Sequence, residues 1–291
     1  LRFGREPWVG CFLRRDHLGH GCKAAVVAPQ PLSGVPSVAR VEGSNVVECC
    51  DVSFSYGRRK VLHGISVGLS VGVTGLLGPN GAGKSTLLNI LATVRQPSGG
   101  TVAIDGADTT SRDGRATARR SIGYLPQRFD LMHGATLRRN VAYAAWAQGV
   151  PADRSDEAAF ESLKLVGLAP RADERAGRLS GGQRQRLGIA CAVAHRPRVL
   201  LLDEPTVGID PIQRVEIRRY LRQIASTTAV VVSTHIVEDI AQSASRVLVM
   251  DAGRMWFDGS VAELELRGAS KTGEGASALE LGYAATIDGP R

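Results

Sequence analysis

Gly78-Pro79-Asn80-Gly81-Ala82-Gly83-Lys84-Ser85, followed by Thr86, is the stretch that decides the fold. It fits the pattern G-x-x-x-x-G-K-S. The β-rich run Val73–Leu77 precedes it, and Leu87, Leu88, Ile90 and Leu91 give Ser85–Val94 helical spacing. Strand, glycine loop and helix in that order form a phosphate-binding loop. The glycines let backbone N–H groups turn inward onto phosphate oxygens, and the helix aims its positive end at the same anion. Lys84 adds a point charge for the β- and γ-phosphates, and the Ser85 hydroxyl suits Mg²⁺.

Outward from the loop, short apolar runs alternate with helical patterns. Val46–Phe54 reads as a strand, and Val61–Val73 as short strand-like pieces punctuated by glycine. Val199–Leu202, Val230–Ser233 and Val247–Met250 read as strands separated by helices, which implies an α/β fold with a mainly parallel sheet. Residues 128–177 are mostly helical by pattern, with amphipathic helices expected over Thr136–Gln148 and Asp156–Val166.

Two further segments carry chemistry. Val199–Leu202 runs into Asp203 and Glu204. Asp203 is placed to hold Mg²⁺. If strand geometry persists, Glu204 points the other way and suits a general base or water-orienting group at the γ-phosphate. Leu179-Ser180-Gly181-Gly182-Gln183 comes just before an expected helix, Arg184–His195, and reads as a second anion-binding nest. One ATP has one γ-phosphate, already cradled by the first loop. The second nest therefore points to a second nucleotide.

With these segments the chain resembles the ABC-type (ATP-binding cassette) ATPase family over about Val46 to Gly259. Leu179–Gln183 matches the family's signature without a change. The resemblance implies a P-loop NTPase core with a mainly parallel sheet, an antiparallel β subdomain and an inserted helical subdomain at about 128–177. It also implies that two such domains pack head to tail, so that Ser180 and Gly182 meet the γ-phosphate held by the other copy's Lys84. Tyr56 matches the aromatic that stacks on adenine. Gln127 matches the loop glutamine that reaches Mg²⁺ and the attacking water, and His235 the switch histidine at the γ-phosphate. Asp210, in Gly208-Ile209-Asp210-Pro211, matches the loop along the dimer interface, with Ile209 in place of the usual leucine. Every catalytic position is intact, which favours a homodimer with two working sites.

The whole chain sets the boundaries. It has 291 residues, 43% of them hydrophobic and 22% charged, the balance of a soluble globular protein. No run approaches the roughly 18–20 apolar residues of a membrane span, so a membrane role falls to a separate permease. The net charge is +8, yet the arginines are spread along the chain, and no nucleic-acid surface is expected. Five cysteines with irregular spacing argue for reduced thiols, and Cys11, His17, His20 and Cys22 match no common zinc module. Residues 1–44 read as a disordered arm, with a faint signal-peptide-like pattern broken by Pro29, Pro31 and Pro36. The chain opens on Leu1, which suggests a fragment or a start placed too far upstream. Residues 45–262 form the expected ATPase domain, and 263–291 a weakly determined tail.

The local wording around Gly75–Gly83, Ser233–Asp239 and Ala278–Tyr283 resembles the ATP-binding subunits of bacterial ABC-2-type exporters. Importer ATPases more often carry Asp directly after the switch histidine, where this chain has Ile236. The resemblance thus implies an ATP hydrolase on the cytoplasmic face of the plasma membrane, coupled through its helical region to an exporting permease. Tyr143 and Trp146 either line that docking groove or pack the helical subdomain. The alternative reading is a soluble ABC ATPase acting in cofactor assembly or on nucleic acid.

Overall fold

The computed structural model describes residues 45–269 and 276–288. The N-terminal arm, with Cys11, His17, His20 and Cys22, lies outside the described residues. The strands are β1 (Val47–Tyr56), β2 (Arg59–Leu69), β3 (Gly72–Leu77), β4 (Gly99–Ile104), β5 (Ala107–Asp108), β6 (Ile122–Leu125), β7 (Val199–Asp203), β8 (Ala229–Thr234), β9 (Arg246–Asp251) and β10 (Arg254–Ser260). The helices are α1 (Lys84–Leu91), α2 (Arg112–Arg120), α3 (Leu137–Ala147), α4 (Ala152–Leu165), α5 (Gly181–Val193), α6 (Pro211–Ile224), α7 (Val237–Ala241), α8 (Val261–Arg267) and α9 (Ala278–Asp288).

Two sheets result. An antiparallel sheet runs β2-β1-β4-β5, and a larger one runs β10-β9-β3-β8-β7-β6, parallel apart from the antiparallel pairing of β10 with β9. The register of the larger sheet builds the site. Leu77 pairs with Thr234, Asp203 with Ser233, and Leu125 with Leu202. The phosphate loop, Glu204, His235 and Gln127 therefore all leave the carboxyl ends of four adjacent strands, the edge where open α/β sheets bind ligands. β7 and β8 are buried at every position because the sheet is covered on both faces, which is why their sequences read as unbroken apolar runs.

One apolar cluster fills the space between the two sheets around Leu88, Ile104 and Leu201. A second joins the other face of the sheet to the helical region through Leu137, Val141, Leu163 and Leu187. Residues 128–177 thus pack α3 and α4 onto α5 instead of standing as an isolated body.

Several expectations need correction. The pieces expected over Val61–Val73 are one strand, β2, followed by the start of β3. The expected weakly determined tail contains α8 and α9, which pack on each other and bury Leu264 and Leu279 against Val247, Val249 and Phe257. Their approach is backbone to backbone: a Cβ on Gly282 would meet the Leu264 carbonyl. The helix expected from Arg184 starts three residues earlier, at Gly181. Cys49, Cys50 and Cys191 are free thiols. No described helix is long and apolar enough to cross a membrane.

Candidate functional site

The phosphate loop is shaped by two close approaches. Gly83 caps α1 at φ +104, a left-handed conformation that L side chains rarely adopt. At Gly78 a Cβ would stand 2.1 Å from the Met250 carbonyl oxygen. The loop is braced from behind by the turn between β9 and β10, where Gly253 N donates to Ala82 O at 2.9 Å.

A cleft of about 460 Å³ opens over this loop. It is lined by Pro79 through Thr86 together with Tyr56, Gln127 and Glu204. Lys84 is buried, and its Nζ donates to the carbonyls of Gly78 at 2.6 Å and Pro79 at 3.2 Å. Its ammonium also lies 3.8 Å from Glu204. Burial lowers the Lys84 pKa, while the charges of Glu204 and Asp203 oppose that shift. Tyr56 is half-exposed, packs edge-on against Phe54, and carries the Arg95 guanidinium 4.8 Å from its ring centroid.

Beyond Asp203 the chain leaves strand geometry. Glu204 takes φ +52, a left-handed conformation costly for a residue with a Cβ. Its amide is held by Ser233, at 3.0 Å to the carbonyl oxygen and 3.2 Å to the hydroxyl. The two carboxylates are thus separated by a turn, and not by strand alternation as expected. Asp203 accepts from the Ser233 hydroxyl at 2.5 Å. Glu204 faces His235, whose Nδ1 lies 3.1 Å from each carboxylate oxygen.

Ser85, Gln127 and Asp203 line one cavity of about 320 Å³ beside the cleft. A hydroxyl, an amide and a carboxylate fit Mg²⁺, which binds through a few protein oxygens and shares the rest of its shell with phosphate and water. Among the described residues no group of three His, Cys, Asp or Glu forms a cage by itself.

The signature residues lie apart from the phosphate loop. Gly181, with Gln127, Gly208 and Ile209, lines a different cleft of about 600 Å³. The expected loop nest is in fact the first turn of α5, capped by Ser180. The Ser180 hydroxyl accepts from Gln183 N at 3.4 Å, and Gln183 Oε1 accepts from Ser180 N at 3.1 Å. Its first-turn amides have no partner four residues back, so the anion-binding character is kept by a helix end. Asp210 caps α6 by accepting from Gln213 N at 3.0 Å. Gln127 is exposed and lines both clefts.

Sequence reasoning missed Ser233 as the partner of Asp203. It also missed a linked trio, buried Thr206 and Asp239 with half-buried Arg218, beside the turns that carry Glu204 and His235. The Ser233-Thr234-His235 run held a signal for the first. Nothing local marks the trio, whose members are far apart in sequence.

Tyr143 and Trp146 are exposed neighbours, with ring centroids 5.8 Å apart. They do not pack the interior of the helical region.

Residues 62–207 match the family described as ABC transporter. The chain is 38% identical, over 76% of its length and 69% of the relative's, to the methionine import ATP-binding protein MetN of Caulobacter vibrioides. It is 36% identical to the probable multidrug ABC transporter ATP-binding protein YbhF of Escherichia coli, over 64% of this chain but only 32% of that protein. Among solved structures it is similar to a dimeric ATP-binding cassette in a post-hydrolysis state with ADP and Pi, with TM-score 0.66, 28% identity, and coverage of 74% of this chain and 98% of that one.

Proposed function

Since the chain belongs to the ABC transporter family as an ATP-binding, ATP-hydrolysing subunit, we propose that its ATP-driven dimer closure powers transport by a separate membrane permease. The observation that carries this reading is the separation of the two anion sites. Lys84 and Glu204 share one cleft, while the capped end of α5 and the loop before Asp210 border another. A second copy set head to tail brings its α5 to this cleft and completes it.

In that arrangement adenine stacks on Tyr56, and the loop's backbone N–H groups up to Thr86 (Pro79 has none) with Lys84 hold the phosphates. Ser85, Asp203 and Gln127 would hold Mg²⁺, which would supply charge neutralisation for the phosphates. Entry of the γ-phosphate draws Lys84 away from Glu204. Glu204 then orients the attacking water and accepts its proton, while His235 contacts the γ-phosphate. Ser180 and Gly182 of the second copy donate to the same phosphate. The Ser180 hydroxyl spends an acceptor lone pair on Gln183 N and keeps its proton to give.

We propose a homodimer held at the cytoplasmic face of the plasma membrane by the permease. Export is the direction we propose. It is supported by Ile236, which stands at the start of α7 where no side-chain cap is made, and by the local likeness to ABC-2-type subunits. The import role named for the Caulobacter relative is its own. Vesicles carrying the chain with its permease decide the direction: ATP-driven movement from the ATPase side to the far side supports export, and the reverse overturns it.

Glu204→Gln tests the shared site. The variant binds ATP, loses hydrolysis, and runs as a dimer by light scattering with saturating ATP and Mg²⁺. A variant that stays monomeric, alone and with the permease, overturns the model.

A further inference from the structure

Behind the catalytic turns a single carboxylate joins three elements. Asp239 lies in α7, four residues past His235, and is 3% exposed. Its Oδ2 accepts from the Thr206 hydroxyl at 2.6 Å. Its Oδ1 accepts from Arg218 Nη1, on α6, at 2.7 Å. Thr206 is buried and lies two residues past Glu204. α6, which bears Arg218, is the helix capped by Asp210. One buried side chain is therefore tied to the Glu204 turn, to the helix after the His235 loop, and to the helix after the Asp210 loop.

We propose that Asp239 is a positioning residue for ATP hydrolysis, which through Thr206 and Arg218 holds the Glu204 turn and the His235 loop at their working separation. The inference rests on the reading of the cleft given above. The contact between Glu204 and His235 cannot hold that separation alone. His235 is exposed, and its ring must release Glu204 when a γ-phosphate arrives. Something behind the two turns must keep them in register while their tips change partners. A buried carboxylate does this because each of its oxygens is committed to a fixed donor, and an unpaired charge there is costly. Catalytic geometry is steep in position, so a shift of about 1 Å costs on the order of 100-fold. Neither Thr206 nor Asp239 lines the nucleotide cleft, so nucleotide binding does not depend on them.

The test uses the purified full chain with ATP and Mg²⁺. Thr206→Val removes the hydroxyl at constant shape, Thr206→Ser keeps it, and Asp239→Asn removes the charge. Turnover is measured with ATP affinity, the latter by equilibrium binding of a fluorescent ATP analogue. We expect kcat to fall about tenfold or more in Thr206→Val and Asp239→Asn with affinity within about twofold. We expect Thr206→Ser to restore turnover, and the Thr206→Val/Asp239→Asn pair to be no slower than the slower single variant. Should Asp239→Asn fail to fold, the Thr206 pair carries the test. Folded variants with kcat unchanged, or with affinity lost in step with kcat, overturn the inference and leave the site reading intact. A wild-type chain that binds ATP without hydrolysing it overturns both.

Discussion

His235 Nδ1 stands 3.1 Å from both carboxylate oxygens of Glu204, although the two residues come from different strands of the parallel sheet. The contact exists because Asp203 pairs with Ser233 in the register of β7 and β8. Both chains then leave the sheet side by side. His235→Ala removes the imidazole from an exposed position, so the fold is kept. Turnover is expected to fall on the order of 100-fold with ATP affinity retained, as read by steady-state hydrolysis beside equilibrium nucleotide binding.

Tyr56 packs edge-on against Phe54, with the Arg95 guanidinium over its ring. Tyr56→Ala is expected to weaken ATP binding by about 1–3 kcal/mol, the range for base stacking on an aromatic ring. Tyr56→Phe keeps the ring and is expected to bind as the parent does. Isothermal titration with ATP measures both, and equal losses would remove Tyr56 from the adenine site.

Gly182 faces Gln213, whose Oε1 would stand 2.7 Å from an added Cβ. Gln213 is flexible at that end, so Gly182→Ala is expected to fold with a melting temperature close to the parent's. The new methyl points inward onto Gln213 and shifts the first turn of α5, the turn offered to the second copy. ATP binding by the single chain is expected to persist, while ATP-driven dimerisation and hydrolysis are lost. Analytical ultracentrifugation with the Glu204→Gln background reads the first effect directly.

His195 sits in α5's trailing turn, with Nε2 3.0 Å from the Ile122 carbonyl and Nδ1 buried without a partner. Burial pushes its pKa from 6.5 down to about 4, against the smaller effect of that carbonyl. The unfolded chain takes up this proton as pH falls through 6.5, whereas the folded chain resists until about 4. Stability should therefore fall across that window, by up to about 3 kcal/mol. Denaturant titrations at pH 7 and pH 4.5 should show a smaller drop for His195→Phe than for the parent.

Much of the fold was legible because its signals are local. β7 and β8 announce themselves as apolar runs, and the phosphate loop as glycines between a strand and a helix. The start of α5 was misread because glycine is a poor helix former, yet the capping box of Ser180 and Gln183 offsets that cost at the first turn. α2 carries arginines and no apolar periodicity, so only its cap, where the Ser111 hydroxyl accepts from Gly114 N, marks it. Helices α8 and α9 went unseen because each is stabilised by the other and by β9, contacts that no short window contains.

By itself the sequence determined that a phosphate loop exists, that a paired carboxylate ends a buried strand, and that a signature segment opens a helix. Those are properties of residues adjacent in the chain, where backbone conformation and side-chain chemistry act together. Only the tertiary structure decided that Asp203 turns to Ser233 and Glu204 to His235, that the signature opens a separate cleft, and that Asp239 in α7 joins the Glu204 turn to α6. Each of these depends on strand register and on which helices pack behind the sheet, and the free energy that selects them is spread over contacts between residues far apart in the chain, such as Leu77 with Thr234.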